Sequence, residues 1–314
     1  MYFGARRAMR AARIFSESVS RTHYTLQRAD GANSETDMPM TFETLTEKLG
    51  FCEQALQAIK DIDRTYDHEA LENSWKKLYN AESTEEGLSE LRAAFSPDKD
   101  GVKMLTCMLH CALYTHTLYT KAGIGDEIYL ATMKFLPRFV NESGKKDGHC
   151  SFTWDWWFYR QLAMREFRIG ELEYEFVEDG EGKKISVHIP ADARLERPRL
   201  RDSLADARAF FAKHFPAYKD ADFYCDSWLL SPALPALLPE SSRILGFQRE
   251  FEILKWEEDS EAFKDWIYGS RDVPTEKLPE NTSLQRAVKA HLLKGGKVGW
   301  ALGRMKRSFF EDKI

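Results

Sequence analysis

Two stretches of alternating apolar and polar residues carry the side chains best suited to proton transfer. The runs LEYEFVED (172–179) and GKKISVHIP (182–190) place apolar residues at every second position, and residues 179–182 between them tolerate the backbone of a tight turn. With 179–182 as the loop of a β-hairpin, Glu175 faces Ser186 and Glu173 faces His188. A carboxylate beside an imidazole holds its tautomer and raises its basicity, so Glu173 or His188 is a candidate general base. A cross-strand ion pair on a solvated face is the alternative interpretation.

A second candidate site follows the hairpin, where arginines crowd together at the start of a predicted helix. Arg194, Arg197, Arg199 and Arg201 lie close together, and the spacing of apolar residues predicts a helix over 198–214. A helix N-terminus offers unpaired N–H groups and the positive end of the helix dipole, so arginines there suit an anion such as a polyphosphate. This segment lacks the glycines that usually let a phosphate approach the backbone, and an exposed loop of salt bridges is the alternative.

A predicted strand over 222–230 carries a third group of polar side chains. Tyr224 and Ser227 have hydroxyl groups that can donate a proton, and Cys225 has a thiol that can act as a nucleophile. No sequence neighbour of Cys225 favours its thiolate form, so a small buried strand residue is the favoured interpretation. A thiol hydrolase that uses Cys225 with His188 is a further alternative.

The spacing of apolar residues, which predicts the secondary structure that positions these groups, changes once along the chain. From Thr41 to about residue 165, apolar residues recur at helical spacing, with a nearly all-apolar segment at 102–121 and another helix predicted at 125–140. Beyond that point, alternating strand patterns are interspersed with helices. We therefore predict an α+β fold with an all-α helical domain at 40–165 and an α/β domain at 166–314. Residues 1–39, rich in arginine at the start and linker-like at the end, are predicted to be an extension.

The composition excludes several functional classes. The 314 residues include 45 Lys+Arg and 50 Asp+Glu, a formal net charge of −5, which gives no overall basic field for nucleic acid. No apolar run reaches the roughly 18 residues of a membrane span. The five cysteines are an odd number spread over a long chain, so no disulfide framework is expected and a cytoplasmic setting fits best. The cysteines and histidines within 102–121 are interpreted as part of a packed core rather than a zinc site.

The order of the predicted elements and several local sequences resemble the GNAT-like C-terminal domain of a family of bacterial two-domain acyltransferases, whose N-terminal half is helical. The similar segments are FRIGELEYE (167–175), ISVHIPADARL (185–195), DSLADARAFF (202–211) and YCDSWLLSPALPALLPESSRILGFQREFEI (224–253). The resemblance covers most of 40–314 and implies a central mixed, mostly antiparallel sheet. The superfamily's Gln/Arg-x-x-Gly-x-Gly/Ala signature is absent, and Asp226 stands where members often have His.

The resemblance also implies where the ligand and the reacting groups lie. The strand at 184–190 would line the pantetheine arm and splay from the strand at 222–230, with CoA in the gap. The pyrophosphate would lie on 194–203, with Arg194, Arg197, Arg199, Arg201 and Ser203 as expected ligands. A backbone N–H near Ile189 would hold the thioester oxygen, Glu173 or His188 would take the amine proton, and Tyr224 or Ser227 would supply the acid.

The expected function is therefore an acyl-CoA-dependent N-acyltransferase that uses acetyl-CoA or another acyl-CoA and no metal. Its expected acceptor is a small-molecule or peptide amine, with neither nucleic acid nor membrane as a partner. The alternative is a GNAT-like module that has lost turnover and binds CoA or another protein. Stabilisation of the fold by acyl-CoA would favour a working site over an interaction module that binds no CoA.

Overall fold

The computed structural model describes residues 40–311, so the extension predicted at 1–39 lies outside the described residues. The described residues divide into two compact units, 40–169 and 170–311. Within this range, every helix is too short or too polar to cross a membrane.

The first unit is helical apart from one short strand. Its elements are α1 (Phe42–Leu49), α2 (Glu53–Asp63), α3 (Glu72–Trp75), α4 (Thr84–Ala94), α5 (Val102–Lys121), α6 (Asp126–Met133), α7 (Phe135–Asp147), α8 (Asp155–Leu162) and β1 (Glu166–Ile169).

Helix α5 is the central helix of this unit, as its nearly all-apolar sequence predicts. It contacts α1, α2, α6 and α8, and its buried residues lie on several sides of the helix. The two histidines of α5 bind different carboxylates: His110 Nε2 lies 2.6 Å from Asp63 Oδ1, and His116 Nε2 lies 2.7 Å from Asp126 Oδ1. These histidines therefore belong to separate hydrogen-bonded pairs, in agreement with the interpretation of α5 as a packed core helix.

The single helix predicted at 125–140 is wrong in two respects. The chain forms two helices, α6 and α7, which meet at Lys134, and α7 continues beyond the predicted end at residue 140 to Asp147. Gly144 lies inside α7, and an added Cβ there would come within 2.6 Å of Cys150 Sγ. This glycine permits close packing instead of ending the helix.

The second unit contains a mixed sheet and the helices that pack around it. Its elements are β2 (Leu172–Asp179), β3 (Gly182–His188), α9 (Arg197–His214), β4 (Asp222–Ser227), α10 (Arg243–Gln248), β5 (Phe251–Glu257), α11 (Phe263–Tyr268), α12 (Ser283–Leu293), β6 (Trp300–Met305) and α13 (Ser308–Glu311). Helix α9 closely matches its predicted range. The strand predicted at 222–230 ends earlier, at Ser227, and the chain then forms a 3₁₀ turn.

The five strands of this unit are ordered β2-β3-β4-β6-β5. β3 and β4 are parallel, and the other neighbouring pairs are antiparallel. The sheet is therefore mixed and mostly antiparallel, as the resemblance implies. The register places Glu173 opposite His188 and Glu175 opposite Ser186, as the alternation predicts. Asp179 also pairs with Gly182, so the loop has two residues instead of the four assumed from the sequence.

One face of this sheet packs against helix α9. Phe176 on β2 packs against Phe215 with tilted rings, with 4.9 Å between ring centroids, and contacts Phe211 edge-on. On the same face, Tyr174 meets Phe223 of β4 edge-on at 5.9 Å. Because alternate residues of a strand point to opposite faces, the remaining strand residues form a second, polar face. We call this the polar face; its members include Glu173, Glu175, Lys184, Ser186, His188, Asp222, Tyr224, Asp226, Glu252, Lys255, Glu257, Trp300, Leu302 and Arg304.

Candidate active site

The parallel strands β3 and β4 separate before either strand ends. Their paired residues are Lys184 with Asp222, Ile185 with Phe223 and Ser186 with Tyr224, and the ladder stops there. β3 nevertheless continues to His188 and β4 to Ser227. Two diverging parallel strands leave a wedge-shaped opening that is bordered by backbone hydrogen-bonding groups. We call this opening the strand gap.

His188 lies on β3 beside the strand gap and on the polar face. Its Nε2 lies 3.1 Å from Oε2 of Glu175, which is the diagonal neighbour across the hairpin rather than the directly opposite Glu173. The side chains of Glu175 and His188 are 10% and 23% exposed, so the pair is shielded while the imidazole stays partly accessible. Glu173 is 5% exposed. The arrangement suits a general base whose ring is oriented by a carboxylate, with Glu175 in the orienting role.

Asp226 is the last polar-face residue of β4 and lies across the strand gap from His188. Its neighbours on the polar face are Lys255 and Glu257 of β5 and Trp300 of β6. Burial among protein atoms, with the charge of Glu257 as the second cause, raises the pKa of Asp226 to about 6. A hydrogen bond from Trp300 and the positive charges of Lys255 and His188 act in the opposite direction.

Asp226 as a residue is nevertheless exposed. Asp226 is therefore accessible to a ligand, while its surroundings raise its pKa. Titratable groups with a shifted pKa concentrate at functional sites. The sequence pattern left the role of Asp226 open. Its proximity to His188 depends on the offset between two parallel strands separated by a helix, which no local pattern reveals.

The two candidate acids lie on opposite faces of β4. Tyr224 is on the polar face with His188 and Asp226, and its ring centroid lies 5.2 Å from Lys184 Nζ. Ser227 is buried on the other face, and its Oγ accepts a hydrogen bond from the N–H of Leu229, capping the 3₁₀ turn that follows β4. The structure therefore brings Tyr224, but not Ser227, to the side of the sheet that carries His188.

Burial makes Cys225 unsuitable as a nucleophile. Its side chain is fully buried on the face opposite His188, and desolvation, followed by the charge of Asp226, raises the pKa of the thiol well above its ordinary value. The thiolate form is strongly disfavoured in such a place. The hypothesis of a Cys225–His188 thiol hydrolase is therefore wrong.

The arginine segment lies at the start of helix α9, but its charges have carboxylate partners. Arg199 binds Glu171 at 3.0 Å and Glu196 at 3.1 Å, and these contacts, with Glu171 as the leading cause, raise the pKa of the guanidinium. Arg197 binds Glu250 at 3.0 Å. Arg197 and Arg199 thus form salt bridges of the kind the alternative interpretation expects, and a phosphate there would compete with three carboxylates.

The remaining members of the segment differ in accessibility. Arg194 has an exposed side chain, and its backbone N–H donates to Glu171 Oε2 at 2.9 Å. The guanidinium of Arg201 lies 6.0 Å from the ring centroid of Phe309. Ile189 follows directly after β3 and is half-buried. Arg194 and the backbone near Ile189 are therefore the members of the expected ligand set most open to a bound molecule.

Ser203 does not meet the expectation that it binds a phosphate. It is 1% exposed, its Oγ accepts a hydrogen bond from the N–H of Leu172, and it lies 2.7 Å from the hydroxyl of Tyr174. An added Cβ on Gly170, whose φ is +61°, would meet the Ser203 Cβ at 2.9 Å. Ser203 therefore ties α9 to the start of β2.

We expect Ser203→Ala to lower the free energy of unfolding by about 1–2 kcal/mol, because it removes a hydroxyl that bonds two buried groups. Chemical denaturation measures this loss, and calorimetric titration with CoA is expected to show an unchanged Kd. A variant with normal stability and a tenfold weaker CoA affinity would contradict the structural role.

Comparison with known proteins agrees with this architecture. Residues 40–164 match the model of the N-acyltransferase N-terminal domain, and residues 167–305 match the GNAT-like C-terminal domain. A search of curated proteins finds no match.

Three similar solved structures are acyltransferase complexes. An acyltransferase with decanoyl-CoA and teicoplanin is 22% identical, with a TM-score of 0.69 over 96% of this chain and 95% of that one. A mutant acyltransferase with octanoyl-CoA is 21% identical, with a TM-score of 0.68 over the same shares. An acyltransferase with decanoyl-CoA is 22% identical, with a TM-score of 0.67 over 95% of each chain. The two domain matches lie in sequence order and take up most of the chain, so the protein belongs to the acyltransferases that join an N-acyltransferase N-terminal domain to a GNAT-like C-terminal domain.

Proposed function

We propose that this protein is an acyl-CoA-dependent N-acyltransferase that transfers the acyl group directly to an amine. The observation that carries the proposal is the early end of the β3–β4 ladder after Ser186 and Tyr224, with His188 beside the opening on the polar face. The similar structures hold decanoyl-CoA, octanoyl-CoA and teicoplanin, which supports a fatty acyl donor and a small-molecule acceptor.

The strand gap suits the pantetheine arm of CoA because that arm is extended and carries two amide groups. An extended ligand at an open strand edge is held by backbone hydrogen bonds in the manner of an added strand. Successive N–H groups alternate between the two edges of a strand, so residues 187–189 direct at least one N–H toward the side where β4 has diverged. We assign that N–H, near Ile189, to the thioester carbonyl oxygen, where it stabilises the negative charge of the tetrahedral intermediate.

The proton steps follow from the groups beside the strand gap. The amine nitrogen attacks the thioester carbon, and His188 accepts the proton that the nitrogen must lose. Glu175 keeps the imidazole oriented, and Glu173, directly opposite on β2, contributes negative charge that favours the imidazolium. As the carbon–sulfur bond breaks, the Tyr224 hydroxyl donates a proton to the departing CoA thiolate. The products are an amide and free CoA thiol.

The diphosphate end of CoA is assigned to the arginine segment. Arg194 offers an exposed guanidinium, and Arg197 and Arg199 can reach a phosphate only by exchanging their carboxylate partners. Binding at this segment is therefore expected to weaken as salt concentration rises, since exposed charges are screened by ions.

Initial-rate kinetics with acyl-CoAs test the proposal. Acetyl-, octanoyl- and decanoyl-CoA are each incubated with teicoplanin or a simple primary amine, while released thiol and product mass are measured. Direct transfer predicts amide product, intersecting double-reciprocal lines and no acylated protein. Parallel lines with an acyl-enzyme would contradict direct transfer. Stabilisation by acyl-CoA without turnover would instead support the alternative of an inactive CoA-binding module.

A further inference from the structure

We infer that Asp226 binds the ammonium form of the acceptor, so that the enzyme selects amines that are cationic at neutral pH. This inference rests on the proposed amine acyltransferase function and names the class of its acceptor. The Asp226 carboxylate and the His188 imidazole lie on opposite sides of the strand gap and share one face of the sheet.

The position of Asp226 favours a ligand-binding role over a purely structural one. Its neighbours along β4, Cys225 and Ser227, are buried on the opposite face, whereas the Asp226 side chain is open to solvent. The Trp300 side chain lies close enough to favour the charged form of this carboxylate. The result is an accessible acidic residue beside the proposed reaction centre.

The charged groups around Asp226 leave its carboxylate able to bind a cationic ligand. Lys255 Nζ binds Oε1 of Glu257 at 2.6 Å, which directs the ammonium of Lys255 toward another carboxylate. The ionisable groups that act on Asp226 are Glu257 and Lys255 from β5 and His188 from β3. A cationic acceptor that enters here meets an acidic group whose β5 neighbour Lys255 is bound to Glu257.

Amide formation from a cationic amine explains what this carboxylate would do: it would bind the ammonium group before the group loses a proton. An aliphatic amine is protonated at neutral pH, and its nitrogen cannot attack a carbonyl carbon until it loses one proton. Asp226 holds the ammonium by a charge-assisted hydrogen bond. His188 takes one proton from the ammonium and releases it to solvent, and the neutral nitrogen then attacks the thioester carbon. His188 accepts the second nitrogen proton as the amide forms, Tyr224 protonates the departing thiolate, and the proton on His188 then restores Tyr224. Asp226 keeps its own charge throughout, and one proton is released to solvent for each ammonium that is acylated.

This arrangement predicts a specific pH dependence. With a pKa of about 6, Asp226 becomes neutral as pH falls below that value and loses its attraction for the ammonium. The KM for the amine is therefore expected to rise below about pH 6, while the KM for acyl-CoA stays constant. The negative charge of Glu257 helps to raise the pKa of Asp226. Without that charge the pKa should be lower, so the increase in amine KM should begin at a lower pH.

Three variants test the assignment in the full-length enzyme, with decanoyl-CoA and a primary alkylamine as substrates. Asp226→Asn keeps an acceptor for the Trp300 indole and should raise the amine KM about 10- to 100-fold, the value of one hydrogen bond to a charged group. It should also abolish the rise in KM below pH 6. Glu257→Gln should retain tight amine binding and shift that rise to lower pH.

Glu252→Gln is the matched control, because Glu252 is an acidic polar-face residue of β5 that is paired with Arg304. It should leave the amine KM and its pH profile unchanged. Wild-type turnover combined with a normal amine KM in Asp226→Asn would overturn the role of Asp226 and leave the proposed function standing. A wild-type enzyme that acylates no amine would overturn both.

Discussion

Replacing His188 by alanine is expected to lower kcat by about 10²- to 10⁴-fold, the usual contribution of a positioned general base. His188 lies beside the strand gap, and its ring is held by Glu175 at 3.1 Å. Because the variant leaves the backbone that lines the gap in place, its affinity for acyl-CoA should remain within about twofold of the wild type. Steady-state kinetics and calorimetric titration measure these two quantities separately.

The Glu175→Gln variant tests whether His188 acts as a general base or has only a structural role. Glutamine keeps a hydrogen-bonding side chain near His188 but removes the negative charge that favours the imidazolium. The pH at which kcat falls to half should therefore move to a lower value in this variant. A His188→Ala enzyme with wild-type turnover, or an unchanged pH profile in Glu175→Gln, would exclude His188 as the base.

The second large effect concerns the helix that supports the sheet. Phe211 on α9 is completely buried and contacts the rings of Phe176, Phe210 and Phe215. Phe211→Ala removes most of a buried aromatic side chain and leaves a cavity, so we expect a loss of about 3–5 kcal/mol in the free energy of unfolding. Such a loss would leave the C-terminal unit only marginally folded.

Lys213→Ala on the same helix is the control, because Lys213 is exposed. It should change the free energy of unfolding by less than about 0.5 kcal/mol. Urea denaturation measures both variants. A loss below 1 kcal/mol in Phe211→Ala would show that α9 does not carry the core of this unit.

The hairpin was predictable from the sequence because its information is local. Period-two alternation and the position of the turn determine which residues face each other, so the pairing of Glu173 with His188 is confirmed. The same alternation also distinguishes between the two candidate general acids on β4. Tyr224 and Ser227 are three residues apart on one strand, so they must point to opposite faces, and only one of them can reach His188.

Other features depend on contacts that the sequence pattern does not contain. The partners of Arg199 and Arg197, Glu171 and Glu250, come from distant parts of the chain, and a phosphate at this segment must compete with them. Asp226 meets His188 only because β3 and β4 pair with one particular parallel offset. Local rules predict strands and turns well, whereas the charge balance of a site depends on tertiary packing.

Thermal unfolding with and without acyl-CoA tests most directly the claim that the C-terminal unit holds an acyl-CoA binding site. At decanoyl-CoA concentrations near 100 times its Kd, binding should stabilise the folded protein by about 2.7 kcal/mol and raise the Tm accordingly. The Asp226→Asn variant should show the same rise, because its defect concerns the acceptor. No change in Tm with acetyl-, octanoyl- or decanoyl-CoA would contradict the presence of the site.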